Sequence, residues 1–145
     1  MLKAYITLAL LTLAMSIISM GCSKSDKSTD VVKIVIHYAG WNIDVPYPWS
    51  CDDVKARGDS VVVKDQGKIR EFVSIIDGLR LVELPGYDSI DARICILFYD
   101  KEGRTRKSIR IAVPRHFAIA ERVFEPNDIL FDLVVSYLPE DYLEE

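Results

Sequence analysis

Residues and motifs that commonly carry catalysis are scarce in this chain. Its 145 residues include two histidines, His37 and His116, and three cysteines. The sequence has no G-x-S-x-G, H-E-x-x-H or C-x-x-C motif and no phosphate-binding loop that ends in Gly-Lys-Ser or Gly-Lys-Thr. These absences argue against the common serine hydrolases, zinc proteases, thiol oxidoreductases and nucleotide hydrolases. They predict a protein that is not an enzyme and that holds no metal ion or other cofactor.

Positive charge is also in short supply. The chain has 18 basic and 22 acidic residues, which give a formal net charge of −4 at pH 7. Proteins that bind nucleic acid neutralise its phosphates with clustered lysine and arginine. The one basic cluster comprises Arg104, Arg106, Lys107 and Arg110 in a predicted hairpin, and we interpret it as a solvent-exposed strand face. The composition therefore predicts that nucleic acid is not a partner.

The first 22 residues have a pattern of their own. Lys3 places a positive charge at the start, and an apolar run from Ala4 to Ile18 is interrupted only by threonine and serine. Gly21, a small residue, stands directly before Cys22. This order of charge, apolar run and small residue is typical of a secretory signal peptide, and the run is short for a membrane span.

The cysteine at the end of this segment resembles the lipobox of bacterial lipoproteins. The three positions before Cys22 hold Ser19, Met20 and Gly21, of which Gly21 matches the lipobox pattern. The resemblance implies cleavage before Cys22, a lipid attached to this cysteine and a membrane anchor in the cell envelope. Ser23 is not the aspartate that retains some lipoproteins at the inner membrane, so the resemblance favours an outer membrane. An uncleaved anchor helix and a secreted protein cut elsewhere stay open as alternatives.

Composition divides the chain into three parts. Residues 1–21 form the predicted signal peptide, and residues 22–30 form the lipidated cysteine with a polar tether. Residues 31–145 are long enough for one compact α+β domain with its own core and too short for two. We recognise no family resemblance in the sequence of residues 31–145.

Alternating apolar residues predict several strands. Residues 31–38 and 60–65 are rich in β-branched side chains, and residues 80–84 contain a shorter run of the same kind. Residues 116–124 alternate as a strand does, although their alanine and glutamate would also allow a helix. We favour a strand there.

Helices are predicted where the apolar spacing changes to three and four residues. Residues 66–77 have this spacing, with Asp65 as the N-terminal cap and Gly78 as a left-handed residue at the end. Residues 126–128 open a last helix, and a capping box predicts a short helical turn over residues 50–58.

The clearest local signal is a hairpin over residues 92–113. Its two alternating runs flank a turn in which Gly103 occupies the position that needs positive φ. Together these elements predict an α+β fold, an antiparallel sheet of about five or six strands with two helices packed on one face. The acidic tail at residues 138–145 is predicted to fray.

Two cysteines follow the predicted lipid anchor, and two interpretations of them stay open. A disulfide between Cys51 and Cys95 would suit an oxidising compartment and would close a loop of about 45 residues. Alternatively, each cysteine is a separate buried thiol that behaves as a small apolar residue.

An aromatic segment near the start of the domain is the candidate binding loop. It contains Tyr38, Trp41, Tyr47 and Trp49 among prolines, which exclude a helix. Such rings can stack on sugars or anchor a protein partner. They can equally fold back over an open sheet face, because a small domain needs every large side chain in its core.

Three functions are compatible with these observations. The first, which we favour, is a non-catalytic, lipid-anchored envelope protein that binds a protein or glycan partner. The second is a periplasmic inhibitor or immunity-type protein. The third is a small hydrolase built around Cys51 or His116. Two carboxylate pairs, Asp52–Asp53 and Asp88/Asp91, are interpreted as helix caps and turn residues rather than cation ligands.

Overall fold

The computed structural model describes residues 30–87 and 89–144. The predicted signal peptide, residues 1–21, and the predicted lipidation site, Cys22, lie outside the described residues. Within the described part of the chain, no helix is both long and apolar enough to cross a lipid bilayer.

Six strands form one antiparallel sheet in the described residues, and three helices pack against it. In chain order the elements are β1 Lys33–Tyr38, α1 Cys51–Arg57, β2 Asp59–Val63, α2 Gln66–Asp77, β3 Ala92–Tyr99, β4 Thr105–Ala112, β5 Phe117–Ile119, β6 Arg122–Phe124 and α3 Asp128–Val135. The strand order across the sheet is β2-β1-β3-β4-β5-β6, and all neighbours are antiparallel. The predicted α+β fold is confirmed.

One side of the sheet, here called the first face, carries the main core. Alternate residues of a strand point to the same side, so Ile34 and Ile36 of β1 share this face with Ile94 and Ile96 of β3. Helix α2 covers them with an apolar stripe. The stripe consists of Ile69, Phe72, Val73 and Ile76.

Helix α3 completes the cover of the first face. The side chain of Asn127 caps the helix by accepting a hydrogen bond from the N–H of Leu130 at 3.0 Å. The predicted fraying of the tail is wrong for residues 138–144, because Tyr142 is 1% exposed and donates its hydroxyl to the carbonyl oxygen of Ala39 at 3.1 Å. Glu145 lies outside the described residues. Leu138 is buried in the same core, so two side chains of the tail pack against the first face.

Helix α1 lies on the opposite side of the sheet, the second face. Ser50 and Asp53 form the predicted capping box, in which each side chain accepts a hydrogen bond from the other residue's backbone N–H. Val54 is fully buried beneath the helix. The helix ends at Gly58, whose backbone approaches the carbonyl oxygen of Tyr38 so closely that a side chain would not fit.

A disulfide joins α1 to β3 on the second face. It links Cys51 and Cys95, whose Cα atoms are 5.6 Å apart. The two residues are therefore not separate thiols in this structure.

Two local predictions are wrong. Residues 80–84 do not form a strand, and in the described chain they meet β6 through an isolated bridge between Glu83 and Phe124. The N–H of Leu84 donates to the carbonyl oxygen of Val123, and the N–H of Glu125 donates to that of Val82, both at 2.9 Å. Gly78 has φ −86° and donates its N–H back to the carbonyl oxygen of Ser74, so α2 ends without a left-handed residue.

The predicted hairpin over residues 92–113 is confirmed, and the single strand predicted over residues 116–124 is two short strands in the structure. Gly103 has φ 78°, and its N–H donates to the carbonyl oxygen of Asp100 at 3.0 Å. Residues 116–124 are extended rather than helical, and they form β5 and β6 around a turn at Ala120 and Glu121.

We expect loss of the Cys51–Cys95 disulfide to lower the free energy of unfolding by about 4 kcal/mol, because the bond closes a loop of about 45 residues in the unfolded chain. The measurement is urea unfolding of the wild type and of the Cys51→Ala/Cys95→Ala variant, each with and without a thiol reductant. Reductant should destabilise only the wild type. Equal stability of the two proteins under oxidising conditions would contradict this prediction.

Candidate functional site

The aromatic residues of the candidate binding loop lie on both sides of the sheet. Tyr38 packs edge-on against Tyr142, with ring centroids 5.4 Å apart. Trp41 is half-buried, and its ring lies 5.2 Å from that of Phe131 in α3. Both rings therefore pack against the core of the first face.

The other two rings of the loop lie near α1. Trp49 is 7% exposed in the second-face core, with the guanidinium carbons of Arg57 and Arg93 each 5.4 Å from its ring centre. Tyr47 is 47% exposed, and its hydroxyl accepts a hydrogen bond from Arg57 at 3.1 Å. Of the four predicted residues, Tyr47 has the exposed ring, and the four do not share one surface.

A buried arginine holds this loop against the sheet. Arg93 is 3% exposed; its Nη1 lies 2.6 Å from the carboxylate of Asp91, and its Nη2 donates to the carbonyl oxygen of Ile43 at 3.1 Å. The same carboxylate accepts the backbone N–H of Trp49 at 2.8 Å. A guanidinium is always ionised, so one that is removed from water needs such partners. The ion pair therefore ties both ends of the loop to β3.

Cys51 and His116, the residues of the hydrolase hypothesis, and the second histidine, His37, all have structural contacts in the described residues. Cys51 is bonded to Cys95 and has no thiol to ionise. His37 lies opposite Cys95 in the β1–β3 ladder, and burial followed by the positive charge of Lys55 lowers the pKa of His37, so this imidazole is neutral at pH 7. The ring of His116 packs against that of Tyr87, with the two ring centroids 5.6 Å apart.

The carboxylates also have structural partners. In residues 30–87 and 89–144, no three His, Cys, Asp or Glu side chains group closely enough to hold a metal ion. In the pair Asp52–Asp53, Asp53 caps α1 and Asp52 forms a surface ion pair. Asp91 pairs with Arg93. Asp88 lies outside the described residues.

The carboxylate of Asp100 organises the β3–β4 turn. It is 3% exposed and accepts the backbone N–H groups of Glu102 and Arg104 at 3.0 and 2.9 Å, together with Nε of Arg104 at 2.9 Å. Burial opposes ionisation, but these hydrogen bonds and the charge of Arg104 outweigh it and lower the pKa of Asp100. The turn therefore keeps its shape around an ionised carboxylate.

An open groove of about 290 Å³ follows the outer side of β4, beyond the end of β5. It is lined by Thr105, Arg106, Lys107, Ser108, Ile119 and Ala120. Strand β5 pairs only with residues 109–111 of β4. Residues 105–108 therefore have no strand partner on this side within the part of the chain that the structure describes.

The backbone of Ser108 points into this open side. Ala112 donates its N–H to the carbonyl oxygen of His116 at 2.8 Å, so Ala112 faces the β5 side of the strand. Alternate residues of an antiparallel strand bond to the same neighbour, which directs Arg110 and Ser108 to that side as well. The register places Ser108 opposite Ala120, where β5 has ended and φ is 53°. The N–H and C=O groups of Ser108 are therefore presented at the sheet edge.

The sequence predicts the basic strand face of this hairpin but not the groove beside it. Arg104 and Arg106 are 65% and 39% exposed in their side chains, as the predicted strand face implies. Arg110, however, donates to the carbonyl oxygen of Ala120 at 2.6 Å. The turn at Ala120 contains no Gly, Asn or Pro. No local signal therefore marks where β5 ends and where residues 105–108 of β4 are left without a strand partner on that side.

We expect Asp91→Ala to lower the free energy of unfolding by about 3 kcal/mol, because it leaves the buried guanidinium of Arg93 without its carboxylate. Urea unfolding measures the change. The matched control is Asp52→Ala, whose carboxylate pairs with Lys55 at 2.8 Å while 90% exposed. That variant should lose less than about 1 kcal/mol. Equal losses for the two variants would contradict the assigned role of Asp91.

The pH dependence of stability should report the lowered pKa of Asp100. A carboxyl group with a lowered folded-state pKa stabilises the protein above its ordinary value of 3.8, and this contribution is lost as the pH falls through the folded-state pKa. Melting temperatures of the wild type and Asp100→Asn, measured from neutral to strongly acidic pH, should therefore converge at low pH. A gap that stays constant over this range would refute the prediction.

Comparisons with known proteins supply no relative from which a site could be transferred. No protein-family model, curated protein or solved structure matches this chain.

Proposed function

We propose that this protein is a lipid-anchored binding protein of the bacterial cell envelope that has no catalytic activity and whose partner is a protein or a glycan. The N-terminal segment supports the anchor, because Gly21 and Cys22 follow a charged start and an apolar run. Cleavage before Cys22 would leave the folded residues attached to an outer membrane through lipid and a short polar tether.

The observation that carries the proposal is the disulfide between Cys51 and Cys95. Disulfides persist in oxidising compartments, and a signal peptide delivers a protein to such a compartment. The same bond removes the thiol on which a cysteine hydrolase would depend. Both consequences favour an exported protein that acts by binding.

Two surface features are available to a partner. Tyr47 presents an exposed ring next to Arg57, and the outer side of β4 presents open backbone groups beside basic side chains. An inhibitor or immunity-type protein would be a special case of this function, in which the bound partner is an enzyme.

We expect Cys22→Ala to abolish lipidation. Wild-type cells fed labelled palmitate should yield a labelled protein in the membrane fraction, whereas Cys22→Ala should carry no label. Ser23→Ala is the matched control, because it changes the neighbouring residue and keeps the cysteine. A wild-type protein that is unlabelled and found in the soluble fraction would overturn the anchor.

The Tyr47 surface and the β4 edge can be examined in intact membranes with a photo-crosslinking residue. Incorporation at Tyr47 or at Ser108 should give an adduct with an envelope protein or glycan. Incorporation at Glu71, an exposed position on α2, is the control and should give none. Absence of adducts from all three positions would contradict a binding role for these surfaces.

A further inference from the structure

We propose that the outer side of β4, residues 105–108, binds an extended acidic segment of a protein partner as an additional strand of the sheet. The inference rests on the proposed function, because it names the class of partner that this binding protein would hold. In strand addition, backbone hydrogen bonds supply affinity and the side chains beside the edge supply specificity.

The backbone geometry at this edge suits strand addition. Ser108 presents its N–H and C=O away from β3, and β5 ends before it can pair with them. The open groove of about 290 Å³ along residues 105–108 leaves space for an incoming chain. Unpaired strand edges are templates for pairing with another chain.

The charge of the hairpin selects an acidic occupant. Residues 100–110 contain five basic and two acidic residues, a net charge of +3 within a chain whose net charge is −4. Asp100 and Glu102 are hydrogen-bonded within the turn or paired with Arg104, and Asp100 also lies 3.8 Å from Arg106. Lys107 lies 3.4 Å from Asp77 of α2. Because the pair between Arg106 and Asp100 is long and the side chain of Arg106 is 39% exposed, a carboxylate on the incoming strand can approach this guanidinium.

The groove also has an apolar wall. Ile119 is half-buried and forms this wall together with Ala120. Because side chains alternate along an added strand, an apolar residue of the partner can contact Ile119 while its neighbours point towards the basic side chains. The expected partner segment is thus acidic with an apolar residue, rather than uniformly acidic.

The opposite edge of the sheet has a different charge. Among the described residues, no strand pairs with the outer side of β2. Residues 59–65 contain two acidic residues, Asp59 and Asp65, and one basic residue, Lys64. An acidic strand would find no net attraction there. The β2 edge is therefore a control surface within the same molecule.

Ser60 on β2 matches Ser108 in orientation. Ala39 donates its N–H to the carbonyl oxygen of Arg93 at 2.9 Å, which directs the odd-numbered residues of β1 towards β3. Ser60 lies opposite one of them, His37, so its own backbone groups point away from β1. Ser60→Pro and Ser108→Pro thus each remove an N–H group that points out of the sheet.

The test is a selection from a displayed library of random ten-residue peptides against the full chain purified in detergent. We expect the enriched peptides to be acidic and to contain apolar residues at alternate positions. Fluorescence anisotropy of one enriched peptide then gives dissociation constants. We expect about tenfold weaker binding to Ser108→Pro and to Arg106→Glu, and unchanged binding to Ser60→Pro.

Amide hydrogen exchange keeps the test independent of how the variants fold. In the wild type, saturating peptide should slow exchange at the Ser108 amide and leave the Ser60 amide unaffected. Enrichment of basic or neutral peptides, no enrichment, or acidic peptides that leave Ser108 exchange unchanged would each overturn strand addition at β4. None of these results bears on the labelling of Cys22 or on an adduct at Tyr47, which test the proposed function separately.

Discussion

Strand β3 is covered on both faces, and most of the described structure packs against it. Ile94, Ile96 and Phe98 enter the main core under α2 and α3. Ala92, Cys95 and Leu97 enter the second-face core, which α1 covers. Water is thereby excluded from both sides of the strand. Charged groups at its two ends must then find partners within the protein, and Arg93 and Asp100 do so through ion pairs and backbone hydrogen bonds.

Arg93 and Asp100 fix the positions of the segments that adjoin the two ends of β3. Arg93 holds the aromatic loop against the sheet, so Trp41 and Trp49 serve mainly to cover the core. A domain of this size needs large rings for that purpose. Asp100 holds the β3–β4 turn in shape by accepting the backbone N–H of Arg104 and pairing with its guanidinium. The surface that we propose for a partner therefore lies at the edge of the sheet rather than in the loop.

The basic cluster at this edge has two physical consequences. Exposed strand edges invite pairing between copies of the same protein, and like charges on such edges oppose that pairing. Residues 100–110 carry a net charge of +3, which opposes pairing between this edge and the same edge of a second copy. The same charge leaves the edge accessible to an acidic chain. In the proposed strand addition, repulsion between copies and attraction of an acidic chain would both contribute to specificity.

The amino-acid sequence by itself determined the elements whose signals lie within a few residues of one another. The capping of α1 and α2, the turn at Gly103 and the apolar stripe of α2 are of this kind, because caps, φ restrictions and helical spacing act locally. Only the tertiary structure decided the burial of Tyr142, the joining of Cys51 to Cys95 and the overhang of β4 beyond β5. Each of these depends on contacts between residues far apart in the chain, which no local pattern encodes.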